Sequence, residues 1–383
     1  MKIALYVAEL DIKGGTHKQV LRLAQYLVRQ GHVVRLVTLT YMPLTTFPEF
    51  AQIDIVSIYE GPPQSRLERL LRRLAPIRLA FKLPPMDIVN IHDNRGLLFF
   101  FTAWLLRRSF SYVWQINDLH PSFRIGNCAS FPRRWHQPIA RGLNRLMARR
   151  VDRITVNVGK NVARVQQYLG VDAELLHCGV DLPTQEVSMS LPPMTPFRIL
   201  STGVFFRYRN YERLVEASAK AARQSSQHVA LTIVGDTRYD PEYAQQVREM
   251  ADAQGIQLSI KENLSDEELH QEIANCHVFA FVNIDQSWGL AVFETAARGR
   301  GVVLSNSVGA AELLSDLPGF YLVDPTSIDG ISQALVSFIR NPQQCREYGK
   351  AAASSVYDMT WDKMYSSKVE ALFMQKNLKN IQK

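Results

Sequence analysis

Cysteine is scarce in this chain and forms no framework. Cys128, Cys178, Cys276 and Cys345 lie far apart, with no C-x-x-C pair and no Cys/His spacing. That argues against a zinc site and a disulfide scaffold, and makes a reducing cytoplasm the expected compartment. Long apolar runs are missing as well. The longest, 97–106, has ten residues, about half of what a membrane-spanning helix needs, so it reads as a buried helix. Residues 1–8 carry a single charged side chain, Lys2, and no small-residue cleavage site follows. They read as a first strand rather than a signal peptide, and the mature protein is expected to start at Met1. There is no low-complexity tract, no solenoid period, no G-x-G-x-x-G and no Asp-x-Asp tract in the setting of a metal-binding loop.

What is present is an ordinary soluble composition: 383 residues, 46% hydrophobic and 21% charged, long enough for two domains. Apolar runs of strand length alternate with stretches of helical period in both halves. Strands are expected at 2–8, 33–39, 51–59, 87–93, 112–118, 153–158 and 173–177, then at 197–202, 230–235, 257–260, 278–284, 302–304 and 321–323. Such alternation predicts two doubly wound α/β domains of Rossmann-like type, facing each other across a cleft. Pro183, Pro192, Pro193 and Pro196 punctuate an aperiodic stretch, which reads as the linker. The expected division is a first domain over 1–182, a linker over 183–196, a second domain over 197–360 and a C-terminal helix over 361–383 that packs back on the first domain.

The net charge of +8 is uneven: residues 64–83 carry six Arg/Lys against Glu68, and residues 131–153 carry seven Arg against Asp152. Leu67, Leu70, Leu71, Leu74, Ile77, Leu79 and Phe81 interleave with the arginines of the first patch. This is the pattern of an interfacial helix on anionic lipid, or else of a charged solvent face covering core leucines.

Site candidates follow from where strands end, because ligands of open α/β sheets bind at the carboxyl edge. Gly14-Gly15 follows the first strand and precedes a helix; it is either a tight turn or a place of close backbone approach to a ligand. Asn117, Asp118 and His120 lie at the end of another strand, and His92 at the end of a third. In the second half, 278–284 is followed by a turn holding Gln286 and Gly289, then by a helix from Leu290 that carries Glu294.

The order of motifs resembles the GT-B glycosyltransferases, in the large retaining class called glycosyltransferase family 4. The matching pieces are Gly14-Gly15; Asp87-Ile88-Val89-Asn90-Ile91-His92; His177-Cys178-Gly179-Val180-Asp181, similar to P-N-G-V-D; Leu231-Thr232-Ile233-Val234-Gly235; Ser265-Asp266-Glu267-Glu268-Leu269; and Gly289 to Ala296, similar to G-L-x-x-x-E-A. The resemblance implies transfer of a hexose from a GDP- or UDP-linked donor to a lipid-linked or polysaccharide acceptor, with retention of configuration and no metal or other cofactor. It implies donor binding by Gly14, Gly15, Arg207, Arg209, Gln286, Gly289, Leu290 and Glu294, with Glu294 on the ribose hydroxyls and Arg209, shared with or replaced by Arg207, on the diphosphate. Backbone N–H groups around 307–310 are expected to hold phosphate oxygens. The partners expected are that donor, that acceptor and an anionic membrane surface, in cell-envelope glycan synthesis, and not nucleic acid.

Three positions depart from the family. The first acid of E-G-F-G-L is Gln286, the arginine after the glycine of G-R-L-x-x-x-K is Val204, and Asn117 stands where W-T-L-H-D-x-W-P has the reaction-centre histidine. Asparagine carries no proton near neutral pH, which leaves His120 or His92 to supply an imidazole. It also leaves an alternative, a donor-binding but catalytically weak subunit that scaffolds a glycan assembly.

Overall fold

Runs apolar at every position, such as Val278–Phe281 and Gly301–Ser305, are stable as strands only where both sheet faces are covered, and both are buried along their whole length. The computed structural model describes residues 1–92, 96–107, 109–117, 137–184, 190–286, 288–366 and 368–374. The strands are β1 (Lys2–Tyr6), β2 (Glu9–Leu10), β3 (Val33–Val37), β4 (Thr40–Tyr41), β5 (Asp54–Val56), β6 (Ile88–Ile91), β7 (Ser111–Ile116), β8 (Arg153–Val156) and β9 (Glu174–Leu175) in the first half. The second half holds β10 (Phe197–Thr202), β11 (Val229–Val234), β12 (Gln257–Lys261), β13 (Val278–Phe281), β14 (Gly301–Ser305) and β15 (Phe320–Val323). They form a seven-stranded sheet in the order β5-β3-β1-β6-β7-β8-β9 and a six-stranded sheet in the order β12-β11-β10-β13-β14-β15. Every pairing is parallel, with Leu5 beside Leu36 and Leu200 beside Phe279.

The chain divides into two units. One takes the N-terminal part through Gly179 together with the chain from Trp361 onward, and the other takes Val180–Thr360. In the first, the C-terminal helix Trp361–Ser366 lies against Gly15–Arg29, with Tyr365 edge-on to Tyr26 at 5.6 Å and Asp362 paired with Arg29. Residues 51–59 differ from expectation: a 3-10 turn over Pro48–Gln52, begun by Pro48, takes the first two of them, and the strand is three residues long, Asp54–Val56. In each sheet strand order reverses once, between β1 and β6 and between β10 and β13. The loops leaving those strands therefore open a crevice at the sheet's carboxyl edge.

One buried cation holds the second unit together. Arg300 is 1% exposed and donates to the carbonyls of Ile273 (2.9 Å), Ala274 (2.8 Å), Ser190 (3.2 Å) and Gly299 (3.2 Å). Burial lowers its pKa, yet four carbonyl dipoles, two at the C-terminal end of helix Asp266–Ala274, offset the desolvation of the charge. Arg300→Met fills the space and leaves those carbonyls unpartnered. The expected cost is about 3 kcal/mol, read as a lower melting temperature in calorimetry.

Candidate functional site

The switch point of the second unit gathers most of the residues singled out in its sequence. After β10 the chain runs through Gly203 into a 3-10 turn, Arg207–Arg209, and Asn210 then adopts a left-handed conformation (φ 62°). Asparagine tolerates that region because its amide replaces main-chain partners. Fully buried, Asn210 donates to the carbonyls of Pro325 (2.7 Å) and Val282 (3.0 Å) and accepts from Arg213 (2.8 Å). This anchors the turn to the end of β13. The Ile284 amide closes the junction by donating to the Tyr208 carbonyl at 2.7 Å.

Held this way, Arg209 reaches across the switch point and its Nη1 donates to Gln286 Oε1 at 2.8 Å. Buried Asn283 completes the group. One orientation of its amide donates to Gln286 Oε1, and the other donates to the Arg209 carbonyl (3.1 Å) and accepts from Arg209 Nη1 (2.9 Å). The first suits the Gln286 oxygen and the second suits the Arg209 groups, so Asn283 ties the two residues together in either orientation. No carboxylate pairs with Arg209 among the described residues, and its buried Nε has no partner there. Gly203, at φ 140°, leaves room for the guanidinium: a β-carbon would lie 2.5 Å from Arg209 Cζ. Arg207 points elsewhere, over the Tyr243 ring (5.2 Å) and 3.8 Å from the Asp240 carboxylate.

Gly289, at φ 109°, begins helix Leu290–Ala297, and a β-carbon there would lie 2.9 Å from the Phe281 ring. Trp288 stacks on Phe293 (5.0 Å between centroids) and fixes the loop against the helix. Leu290 opens the helix; the Val292 amide donates to the Gly289 carbonyl (3.0 Å), and the amides of Leu290 and Ala291 have no partner within the helix. Glu294 sits one turn in, half-buried, and its charge raises the pKa of both Arg298 and His270 against the lowering effect of burial.

The expectation for residues 307–310 is overturned. The Gly309 and Ala310 amides donate to the carbonyls of Gln286 (3.0 Å) and Trp288 (2.9 Å), and those of Ser307 and Val308 to Ser305 (3.2 and 3.5 Å). The Gly309 and Ala310 amides thus hold Gln286 and Trp288, and all four are already taken rather than open to a phosphate. The sequence suggested an anion site there because the loop that uses these amides is distant along the chain.

In the first unit Gly14 and Gly15 begin helix Gly15–Arg29. The φ of Gly14, −102°, suits any residue, so what this glycine supplies is the absence of a side chain. Asn117 lies beside them: its Nδ2 donates to Thr16 Oγ1 (3.4 Å), its Oδ1 accepts from Gln115 (3.3 Å), and Gln115 accepts from Thr155 (2.5 Å). This polar chain links β7 and β8 to the glycine turn, and Thr16, which sequence reasoning missed, connects the two candidates. Asp118 and His120, with Gly126, Asn127 and Cys128, lie outside the described residues. His92 is fully enclosed, and burial pulls its pKa down to about 3. It stays neutral near pH 7, which removes it as a proton carrier. The candidates thus fall into two groups: Gly14, Gly15 and Asn117 in one unit, and Arg209, Gln286, Gly289, Leu290 and Glu294 in the other. Among the described residues, no group of three or more His, Cys, Asp or Glu could hold a metal ion, and no helix is long and apolar enough to cross a membrane.

Two family models match in succession, described as "Glycosyltransferase Family 4" over residues 13–183 and "Glycosyl transferases group 1" over residues 185–355. The chain belongs to the GT-B glycosyltransferases of the group 1, family 4 type. Its fold is shared across the full length of solved relatives. HepE of Anabaena, solved with UDP and glucose, is 14% identical, with 97% of this chain and 99% of that one covered at a TM-score of 0.72. Sucrose-phosphate synthase of Thermosynechococcus elongatus is 17% identical, with 98% of each chain covered and a TM-score of 0.76. WaaG, a glycosyltransferase involved in lipopolysaccharide biosynthesis, is 14% identical over 98% of this chain and 100% of that one, at a TM-score of 0.71. No curated protein matches the sequence. The two parallel sheets of this glycosyltransferase are thus the two Rossmann-like domains expected of its fold.

Proposed function

We propose that this glycosyltransferase moves a hexose from a UDP- or GDP-linked donor to a lipid-linked or polysaccharide acceptor at the cytoplasmic face of a membrane, with retention of configuration and without a metal. The observation that carries the reading is Arg209, a half-buried guanidinium at the switch point of the second unit that has, among the described residues, no carboxylate on it and no partner for its Nε. Such a group suits the oxygens of a diphosphate. The relative solved with UDP and glucose supports the nucleotide-sugar class, and WaaG supports a place in envelope glycan synthesis.

In the reaction the acceptor hydroxyl oxygen forms a bond to the anomeric carbon, the bond from that carbon to the diphosphate oxygen breaks, the diphosphate leaves with the electron pair, and the acceptor's proton passes to an oxygen of the leaving diphosphate. Arg209 and the first N–H groups of helix Leu290–Ala297 stabilise that charge, a cation supply that does not call for a metal. Gln286, oriented by Arg209, offers its amide to a sugar hydroxyl, and Glu294 accepts from the ribose hydroxyls. Arg207, held by Tyr243 and Asp240, is a reserve cation rather than a primary one. Asn117, bonded to Thr16, orients a hydroxyl in the acceptor-side half and transfers no proton.

The second reading, a donor-binding subunit with little activity, has in its favour the amides Asn117 and Gln286 at the two reactive positions. A panel of labelled nucleotide-sugars incubated with the protein and a membrane-lipid extract separates the two. We expect label in a lipid or glycan product; saturable nucleotide binding with no product favours the second reading. Gln286→Ala is expected to lower transfer at least about tenfold while nucleotide affinity changes less than about threefold, because one sugar contact is lost and the diphosphate contacts stay. An equal fall in both would contradict the sugar role.

A further inference from the structure

Two motifs of the sequence, Ser265-Asp266-Glu267-Glu268-Leu269 and His177-Cys178-Gly179-Val180-Asp181, take no part in the donor contacts proposed for Arg209, Gln286 and Glu294. Each contributes a carboxylate whose charge acts on the same side chain, Arg298, which caps the C-terminal end of the helix that carries Glu294. Arg298 follows Glu294 by four positions, so the two lie one turn apart on the same face of that helix. The guanidinium is partly buried. Its Nη1 donates to the Glu294 carbonyl at 3.1 Å and its Nη2 to His270 Nε2 at 2.5 Å. Burial lowers the Arg298 pKa, and the charges of Glu294, Asp181 and Asp266 oppose that shift. One cation thus serves three carboxylates, all in the second unit. Without it Glu294 would be left beside acids of like charge in half-buried surroundings, which favours the protonated carboxyl over the carboxylate.

His270 gives Arg298 its direction. A guanidinium has donors and no acceptor, so the contact makes His270 Nε2 the acceptor and leaves the ring proton on Nδ1. The ring is carried by helix Asp266–Ala274, which opens with a capping box: the Glu268 amide donates to Ser265 Oγ (3.2 Å) and the Ser265 amide to the Glu268 carboxylate (2.7 Å). A proton on Nε2 would remove the acceptor and set a second cation against Arg298. The charged groups that bear on His270 are Arg298 and Glu294 from the neighbouring helix and Asp266 and Glu267 from its own. Burial and the Arg298 charge hold its pKa below the ordinary histidine value, against the pull of the three acids, so the ring is neutral near pH 7.

We propose that Arg298, seated by neutral His270 and drawn by Asp181, is a positioning residue that keeps the Glu294 carboxylate ionised and directed at the ribose hydroxyls, so that a proton on His270 weakens donor binding. Arg298 touches no substrate in this arrangement and acts through Glu294. The inference rests on the ribose role of Glu294 proposed above. A helix cap alone would account for the bond to the Glu294 carbonyl, but it would act on stability and would not depend on the charge of the Glu294 side chain.

The test is calorimetric titration of the full-length protein with UDP and GDP. Arg298→Met is expected to weaken binding about tenfold at about pH 7.5, and less than about twofold when Glu294 is already replaced by glutamine, because a residue that acts through the Glu294 charge loses its effect with that charge. Arg298→Lys keeps the cation without the forked donors and guards against a failure to fold; its expected loss is about threefold, again gone in the Glu294→Gln background. Between about pH 7.5 and about pH 5.5 the wild type is expected to lose at least about threefold more affinity than His270→Gln, whose amide oxygen accepts from Arg298 at every pH. Titration of the nucleotide phosphates is common to both proteins and cancels in that comparison. Three results would each overturn the inference: equal losses from Arg298→Met in the two Glu294 backgrounds, a lower melting temperature with unchanged affinity, or the same pH profile for the wild type and His270→Gln. Unchanged affinity in Glu294→Ala rejects the ribose reading and the inference with it. Weakened binding in Glu294→Ala with none in Arg298→Met rejects the inference alone.

Discussion

Glu294→Ala is expected to weaken nucleotide binding by at least about 100-fold while the protein stays folded. A carboxylate that accepts from two ribose hydroxyls contributes roughly 1.5–3 kcal/mol for each bond, and the loss of both gives that factor. The fold has little stake in the side chain. Glu294 is half-buried in helix Leu290–Ala297, where Val292, Phe293, Thr295, Ala296 and Ala297 supply the packing, and alanine is the best helix former. The remaining cost is electrostatic, because Glu294 faces the partly buried Arg298. A melting temperature within a few degrees of the wild type is therefore expected. Calorimetric titration with UDP and GDP decides the matter: unchanged affinity for both would remove Glu294 from the site. Glu294→Gln separates charge from hydrogen bonding, since its amide oxygen still accepts, and a loss of about tenfold is expected.

The second large effect is expected from Asn210→Ala, a residue that touches no substrate in our reading. Alanine leaves the Val282 and Pro325 carbonyls buried without their donor, at roughly 1–3 kcal/mol each. It also loses the asparagine amide that makes the left-handed conformation at φ 62° tolerable, at about 1 kcal/mol. A sum of about 4 kcal/mol lowers the melting temperature of a unit this size by roughly 10 °C. Asn210→Gly relieves the backbone term alone and should recover about a quarter of the loss. Because Asn210 ends the turn that carries Arg209, nucleotide affinity measured well below the melting temperature should fall as well. If stability drops and affinity holds, the Arg207–Arg209 turn does not position the diphosphate cation.

Both residues lie at the junction of β10 and β13, but they differ in how far the sequence reveals them. Glu294 is visible in one stretch, as a helix following an apolar strand and a glycine turn. Asn210 is one asparagine among several until the structure puts Val282 and Pro325 within reach. Arg207 and Arg209 look equivalent as a pair two residues apart. The 3-10 turn sends one toward Gln286 and the other toward Tyr243, because alternate positions of a tight turn face different neighbours. Likewise the basic helical region 66–82 is ambiguous in sequence, since apolar residues on both of its sides fit either a core face or a membrane face. Burial separates the two sides: Ala75, Pro76, Leu79 and Ala80 are buried, and Leu67, Leu70, Leu71 and Leu74 are exposed.

Local patterns thus carried the α/β class, the alternation of strands and helices and the family resemblance, because strand and helix periods are written over a few neighbouring residues and strand ends mark the ligand edge. Tertiary packing decided matters of occupancy and direction. It determined which arginine faces the switch point, that the amides of Ser307 to Ala310 are already taken by Ser305 and the 286–288 loop, that His92 is sealed in neutral, and that Thr16 joins Asn117 to the glycine turn. Most of these depend on partners well outside the local stretch, and a hydrogen bond such as that between Asn117 and Thr16, 101 positions apart, leaves no trace in the pattern around either residue.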